Sequence, residues 1–319
     1  MENDAPFTEV IFNYYVNWVP FLLNLFSPVF VFISVIFFTS KMAQNSEIVA
    51  ILASGVSYRR LLRPYIITSV FLALVSFSLF AWIIPKADKV RVVFENEYIR
   101  DRTHYSASQI KTQISPGVIL SMGNFNFSDS AGFKVSIEEV KDGRLVSKLF
   151  AERLNWNKET KTWKLSKWWT REFIDGMEIL NRGSTMDTMI AFNPEDFFRK
   201  NDDVQMFNLK ELDEMIDLEQ MRGTGNTFFY TTERFKRFGM PFAVIILTII
   251  GVSVSSKKSR GGIGLNLGVG LLISFTFLIV FQFFLAYGSS GALHPLLAVS
   301  IPNLIFGGIA LIMYKLAQK

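Results

Sequence analysis

Five long runs without a single charged residue constrain this chain more than any other feature of its sequence. They cover residues 10–40, 64–85, 238–256, 261–293 and 295–314. Each run is long enough to hold a helix of ~20 residues, the length that crosses a bilayer. Because a single charge at the centre of a membrane helix costs roughly 2.5–3.5 kcal/mol, this strict avoidance of charge predicts an integral membrane protein with five spans.

The basic residues outside the block 86–237 lie mainly in short connections. The net charge is +5, and Glu47 is the only acidic residue that opposes nine basic ones there. The nine are Lys41, Arg59, Arg60, Arg63, Lys257, Lys258, Arg260, Lys315 and Lys319. The positive-inside rule therefore predicts that 41–63 and 257–260 are cytoplasmic, while the acidic N-terminal tail and residues 86–237 lie outside. Topology and anionic lipid account for the basic balance, and no nucleic-acid partner is predicted.

The chemistry-bearing residues form no recognisable catalytic or metal site. The two histidines, His104 and His294, have no second ligand at a metal-binding spacing, and the chain has no cysteine. The carboxylates Glu138 and Glu139 are adjacent, and neighbours on a strand point to opposite faces, so we interpret them as solvated charges and not as a catalytic pair. No phosphate-binding G-x-x-x-x-G-K-[ST] motif occurs. The sequence therefore predicts no metal, no cofactor and no enzymatic activity.

The cytoplasmic segment 41–63 reads KMAQNSEIVAILASGVSYRRLLR. Asn45-Ser46 resembles a helix N-cap, Glu47 suits the positive end of a helix, and Gly55 suits a left-handed end. A second short helix is expected to restart at Ser57 and to lead to Pro64, in the first turn of the next span. A helix of about eight residues rises roughly 12 Å and cannot cross a bilayer. It is either a plug for a groove on another protein or an interfacial turn folded against its own bundle.

Residues 106–192 change to a two-residue period. Trp163, Leu165, Trp169, Arg171 and Phe173 alternate as on one face of a strand. Asp142-Gly143 is a hairpin signal, and residues 157–161 form a second polar turn. Short strands separated by such turns predict an all-β sandwich or jelly roll.

The predicted fold is therefore an α-helical membrane protein with a large β domain inserted between its second and third spans. Residues 1–105 hold the first two spans and the loop 41–63, residues 106–192 the β domain, 193–237 a helical connection and 238–319 the last three spans. In the connection, Asn208 with Glu211 predicts a capped helix.

Two further groups of residues allow more than one interpretation. Arg234, Lys236 and Arg237 run against the positive-inside trend, so they either contact anionic lipid headgroups or snorkel from a helix end. Gly264 and Gly268 form a small-xxx-small face, which serves either packing within the bundle or contact with a partner.

Several motifs resemble one family of transporters. SEIVAILASGVSYRRLLRP resembles the cytoplasmic coupling segment of the LptF/LptG (YjgP/YjgQ-type) lipopolysaccharide export permeases. GRLVSKLFAERLNWNKETKTWKL is similar to strands of their periplasmic jelly roll. TERFKRFGMPFAVIILTIIGVSVSSKKSRGGIGLNLG and HPLLAVSIPNLIFG are similar to their last three spans. The motifs occur in the order that the family has.

The resemblance implies a permease subunit in the bacterial inner membrane. It would pair with a paralogous LptF- or LptG-like subunit over an LptB-like ATPase dimer and pass lipopolysaccharide to a periplasmic LptC/LptA-like bridge. The residues matching the coupling segment are Ser46, Glu47, Ala50, Ile51, Gly55 and Ser57. The span at 263–287 matches the helix beside the lateral gate. The family has six spans, so the resemblance also implies that the first span is missing here.

Two other functions remain open from the sequence. A membrane-anchored sensor or assembly scaffold would use the same spans and would bind an envelope partner through the β domain. A lipid-modifying enzyme would need convergent acid and base residues, and the sequence does not provide them.

Overall fold

The structure, a computed structural model, describes residues 5–99, 106–126, 129–174, 177–190, 201–223, 226–258 and 261–317. The chain divides into two compact units. The span unit comprises residues 7–91, 204–212 and 228–319, and the β unit comprises 1–6, 92–203 and 213–227. His104, Arg260 and Lys319 lie outside the described residues.

Within these described residues, five helices are long and apolar enough to cross a membrane, which confirms the predicted number of spans. They are α1 (Phe7–Gln44), α3 (Tyr58–Ile99), α5 (Asn226–Ser255), α6 (Gly262–Ser289) and α7 (Pro295–Ala317). Two shorter helices are α2 (Glu47–Ala53) and α4 (Leu209–Arg222), the latter preceded by a 3₁₀ turn at Asn201–Met206. π-Helical turns interrupt α1 at Val10–Tyr15 and α3 at Leu79–Ile83 and Glu95–Ile99.

The second span begins earlier than the sequence predicts. Helix α3 starts at Tyr58 and passes through Pro64, so there is no separate short helix between Ser57 and Pro64. The hydroxyl of Ser57 accepts a hydrogen bond from the N–H of Arg60 at 3.3 Å and caps this helix. Proline is tolerated inside membrane helices because neighbouring groups satisfy the backbone that it frees. Pro64 was therefore wrongly placed in the first turn.

Helix α5 lies at the centre of the span unit. In its most apolar window 61% of the residues are buried, against 28–33% in the other four spans. Its residues Ala243, Leu247 and Ile250 belong to the main apolar cluster, together with Phe32 of α1 and Phe277 of α6. The outer faces of the surrounding helices carry exposed apolar side chains, as expected for helices that contact lipid.

Small and polar residues bring the spans close together. The amide nitrogen of Asn266 on α6 donates to the hydroxyl of Ser40 on α1 at 2.9 Å. A side chain at Gly270 would collide with Ile36, so glycine allows α1 and α6 to approach. Such contacts provide specificity where lipid removes the hydrophobic driving force between helices.

In its described residues the β unit contains six antiparallel strands in sequential order, β1 to β6, which confirms an inserted all-β domain. They are β1 Ser106–Ser115, β2 Val118–Asn126, β3 Ala131–Lys141, β4 Arg144–Asn157, β5 Thr162–Ile174 and β6 Met177–Thr188. Their order is that of a meander. The predicted hairpin is present, since Asp142 and Gly143 both have positive φ, 50° and 74°.

The predicted face of β5 is only half right. Trp163 and Leu165 are fully buried in the core of the β unit, but Lys167 has a left-handed backbone with φ 50°. Beyond Lys167, Trp168 packs against that core, whereas Trp169 stacks on Phe150. One left-handed residue thus moves the later side chains to the opposite faces, which an alternation count does not detect.

Candidate functional site

The short helix α2 presents an apolar surface that its own chain does not cover. Ile48 is buried at 2% exposure, whereas Val49 is 61% and Leu52 37% exposed. Glu47 and Ala50 are exposed and Ile51 is half-buried. The helix is therefore attached to the span unit by a small part of its surface, and its remaining apolar side chains are open to a partner.

The ends of α2 are set by two residues with positive φ. Ser46 is the N-cap residue, as Asn45-Ser46 predicted, with φ 62°, but its side chain makes no capping hydrogen bond. The side-chain amide of Asn45 instead donates to a carboxylate oxygen of Glu47 at 3.1 Å. Gly55 has φ 88°, as predicted for the left-handed end, and its N–H donates to the carbonyl of Leu52.

The residues predicted as a basic flank are exposed wherever the structure describes them. Arg59, Arg60 and Arg63 lie on the first turns of α3, and Lys257 and Lys258 follow the end of α5. The ammonium of Lys257 donates to the carbonyl of Leu316 at 3.0 Å. Exposed cations at span ends are typical of the cytoplasmic side of a membrane protein.

The three cations considered for contact with a lipid headgroup do not form one surface. Arg237 is buried, and it donates to the carbonyls of Phe207 at 2.7 Å and Val204 at 3.1 Å. Lys236 is also buried and forms an ion pair with Glu233 at 3.0 Å. Arg234 is half-buried, with its guanidinium 5.9 Å from the ring centroid of Phe238.

Sequence reasoning missed a polar cluster around Arg237. Glu233 lies 3.9 Å from Arg237, and Asp88 forms a buried ion pair with Arg91 at 2.7 Å. Glu211 pairs with Lys89 at 2.5 Å. The spacing of Glu233, Lys236 and Arg237 at i, i+3 and i+4 was the available signal, because such residues are neighbours on a helix.

The predicted capping box of α4 is present beside this cluster. The side-chain oxygen of Asn208 accepts from the N–H of Glu211 at 2.9 Å, and the N–H of Asn208 donates to the Glu211 carboxylate at 2.8 Å. Burial opposes ionisation of Glu211, but the hydrogen bonds from Lys89 and Asn208 together outweigh it and lower its pKa.

Comparison with protein families shows to which family the chain belongs. The model of the lipopolysaccharide export system permease LptF/LptG matches residues 2–316. This chain belongs to the LptF/LptG family. No curated protein matches it. The family confirms the resemblance seen in the motifs and makes the chain a transport subunit rather than an enzyme.

The glycines of the permease divide into packed and open positions. A side chain at Gly264 or Gly268 would meet nothing within 4 Å, and both residues are exposed. Contact within the chain is made by Gly270 instead, against Ile36. The permease therefore presents the predicted small-xxx-small face on its surface.

Among the residues that the structure describes, no group of three histidine, cysteine, aspartate or glutamate side chains is arranged to hold a metal ion.

Proposed function

We propose that this permease is the membrane subunit through which a separate ATPase drives lipopolysaccharide export. Membership of the LptF/LptG family supports export of lipopolysaccharide. The exposed apolar surface of α2 is the observation that carries the coupling role, since an uncovered apolar patch marks an interaction site. An LptB-like ATPase dimer would bind this surface from the cytoplasm.

In this proposal Glu47 and Gly55 mark the two ends of the docked helix. Ser46, Ala50, Ile51 and Ser57 complete the coupling set. Closure of the ATPase would move α2, and the spans would then narrow around the lipid. The chain itself performs no chemistry.

The remaining assignments concern partners and location. The protein would lie in the bacterial inner membrane with its β domain in the periplasm, where it would pass lipid to an LptC/LptA-like bridge. A paralogous LptF- or LptG-like subunit would complete the cavity. The open face at Gly264 and Gly268 suits contact with another helix, because small residues allow close approach. Of the three cations first considered for headgroup contact, Arg234 remains the candidate.

The charge reversal Glu47→Lys tests the coupling role. We expect it to separate ATP hydrolysis from lipid release in proteoliposomes that contain the complete transporter. Glu159→Lys is the matched control, because Glu159 lies exposed in a turn of the β unit. Normal transport by Glu47→Lys would refute the coupling role. Failure of the wild-type chain to co-purify with an ATPase, with lipid traffic intact, would favour a sensor or scaffold.

A further inference from the structure

A cavity in the β unit has no role in the function proposed above. It has a volume of about 710 Å³ and lies on strands β5 and β6. Its lining includes Lys167, Trp169, Arg171, Leu180 and Arg182. The three cations and the indole ring define the chemistry of what the cavity can hold.

The sheet register places the aromatic and cationic side chains side by side. Trp169 of β5 is paired across the strands with Phe150 of β4 on one side and with Arg182 of β6 on the other. The rings of Trp169 and Phe150 are stacked, with centroids 5.6 Å apart and planes at 23°. The guanidinium of Arg171 lies 5.8 Å from the centroid of Trp169.

The charges of the cavity favour an anion. Lys167 pairs with Glu152 and Arg171 pairs with Glu178, both at 2.8 Å and both exposed to solvent. Arg182 is exposed and has neither an ion pair nor a hydrogen bond from its side chain within the described part of the chain. Because exposed ion pairs contribute little, a phosphate that accepts from several of these donors replaces the carboxylates at low cost.

The size and the aromatic lining favour a saccharide over a small ion. Small-molecule sites have volumes of roughly 300–1,000 Å³, and this cavity falls within that range. An indole ring offers an apolar surface to a sugar ring, and a guanidinium fork binds phosphate through two hydrogen bonds. A single inorganic phosphate would leave most of the cavity empty.

We propose that this cavity binds the phosphorylated saccharide headgroup of the lipid that the permease carries. The identity of the lipid rests on the proposed function, whereas the binding of a phosphorylated saccharide stands on the cavity alone. Arg182 provides the bidentate phosphate contact, and Trp169 provides the surface for the sugar.

The test measures binding of a soluble probe to the full-length permease in detergent. The probe is lipopolysaccharide from which the acyl chains have been removed and on which the phosphates remain, followed by tryptophan fluorescence. We expect saturable binding that Arg182→Gln weakens about tenfold or more, the effect of losing a charge-assisted hydrogen bond. Arg182→Lys should recover part of the affinity, because it keeps the charge and loses the fork.

The matched control is Arg144→Gln, an exposed arginine at the start of β4 that does not line the cavity. It should bind the probe as the wild type does. Removal of the phosphates from the probe should weaken binding about tenfold or more. Thermal unfolding of each variant establishes that the β unit remains folded.

Four results would overturn the proposal. The first is that Arg182→Gln binds the probe with unchanged affinity. The second is that Arg144→Gln lowers the affinity for the probe as much as Arg182→Gln does. Inorganic phosphate displaces the probe at the same concentration as the saccharide does, which indicates an anion site only. An acidic peptide competes equally, which indicates a docking surface for protein.

Transport measured in parallel separates this site from the function. If Arg182→Gln exports normally and binds the probe with unchanged affinity, the proposed binding site is refuted and the proposed function stands. If the wild-type protein binds the probe but exports no lipid, the proposed function is refuted and the proposed binding site stands.

Discussion

The buried guanidinium of Arg237 makes a quantitative prediction about stability. Its two hydrogen bonds reach carbonyls 30 and 33 residues away, at Phe207 and Val204. A hydrogen bond from a charged donor contributes about 1.5–3 kcal/mol. Arg237→Met keeps most of the side-chain volume and removes both hydrogen bonds, so we expect it to lower the free energy of unfolding by about 3–6 kcal/mol.

The measurement is denaturant unfolding of the full chain in detergent, with Arg63→Met as the matched control. Arg63 is exposed on α3, so its replacement should change the free energy of unfolding by no more than about 0.5 kcal/mol. Equal losses in the two variants would show that the carbonyl contacts of Arg237 contribute nothing.

A double-mutant cycle with Glu233→Gln separates the carbonyl contacts from the ion pair. Glu233 lies 3.9 Å from Arg237 but only 3.0 Å from Lys236, which remains in Arg237→Met. We therefore expect an interaction energy between Glu233 and Arg237 below about 1 kcal/mol. A value above about 2 kcal/mol would mean that the carboxylate, and not the two carbonyls, holds Arg237 in place.

Three further predictions concern the helix cap, the packed glycine and the hairpin. Because its pKa lies below the ordinary value of 4.5, Glu211 stabilises the fold at neutral pH, and this contribution, under about 1 kcal/mol, is lost on acidification. Glu211→Gln should therefore show a weaker loss of stability between about pH 5 and pH 3 than the wild type. Gly270→Val should cost about 1–3 kcal/mol through collision with Ile36, whereas Gly264→Val, in open space, should leave unfolding nearly unchanged. Gly143→Ala should cost about 1–2 kcal/mol, because its φ of 74° strains any L-residue; an unchanged melting temperature would contradict this.

Features written in local sequence could be predicted. The five spans follow from charge-free runs, because the bilayer penalises each charge separately. The hairpin at Asp142-Gly143 and the capping box at Asn208 and Glu211 depend on residues within three positions of each other. The left-handed end of α2 at Gly55 belongs to the same class.

Features that depend on distant partners could not be predicted. Nothing near Arg237 in the sequence indicates that its guanidinium donates to the carbonyls of Val204 and Phe207. The face of the sheet on which Trp169 lies was predicted wrongly, because Lys167 is a non-glycine residue in a backbone conformation that glycine usually adopts. Pro64 was given its usual place at a helix start, although a membrane helix can accommodate it.

The early start of α3 leaves very little chain between the short helix α2 and the second span. Residues 54–57 alone connect Ala53 to Tyr58, and four residues reach at most about 14 Å. The segment Tyr58–Ser78 then continues as a rod of about 31 Å without a break at Pro64. If α2 moves as proposed, so short a connection passes much of its displacement on to this rod, and inserting flexible glycines between Ala53 and Tyr58 should weaken that transmission.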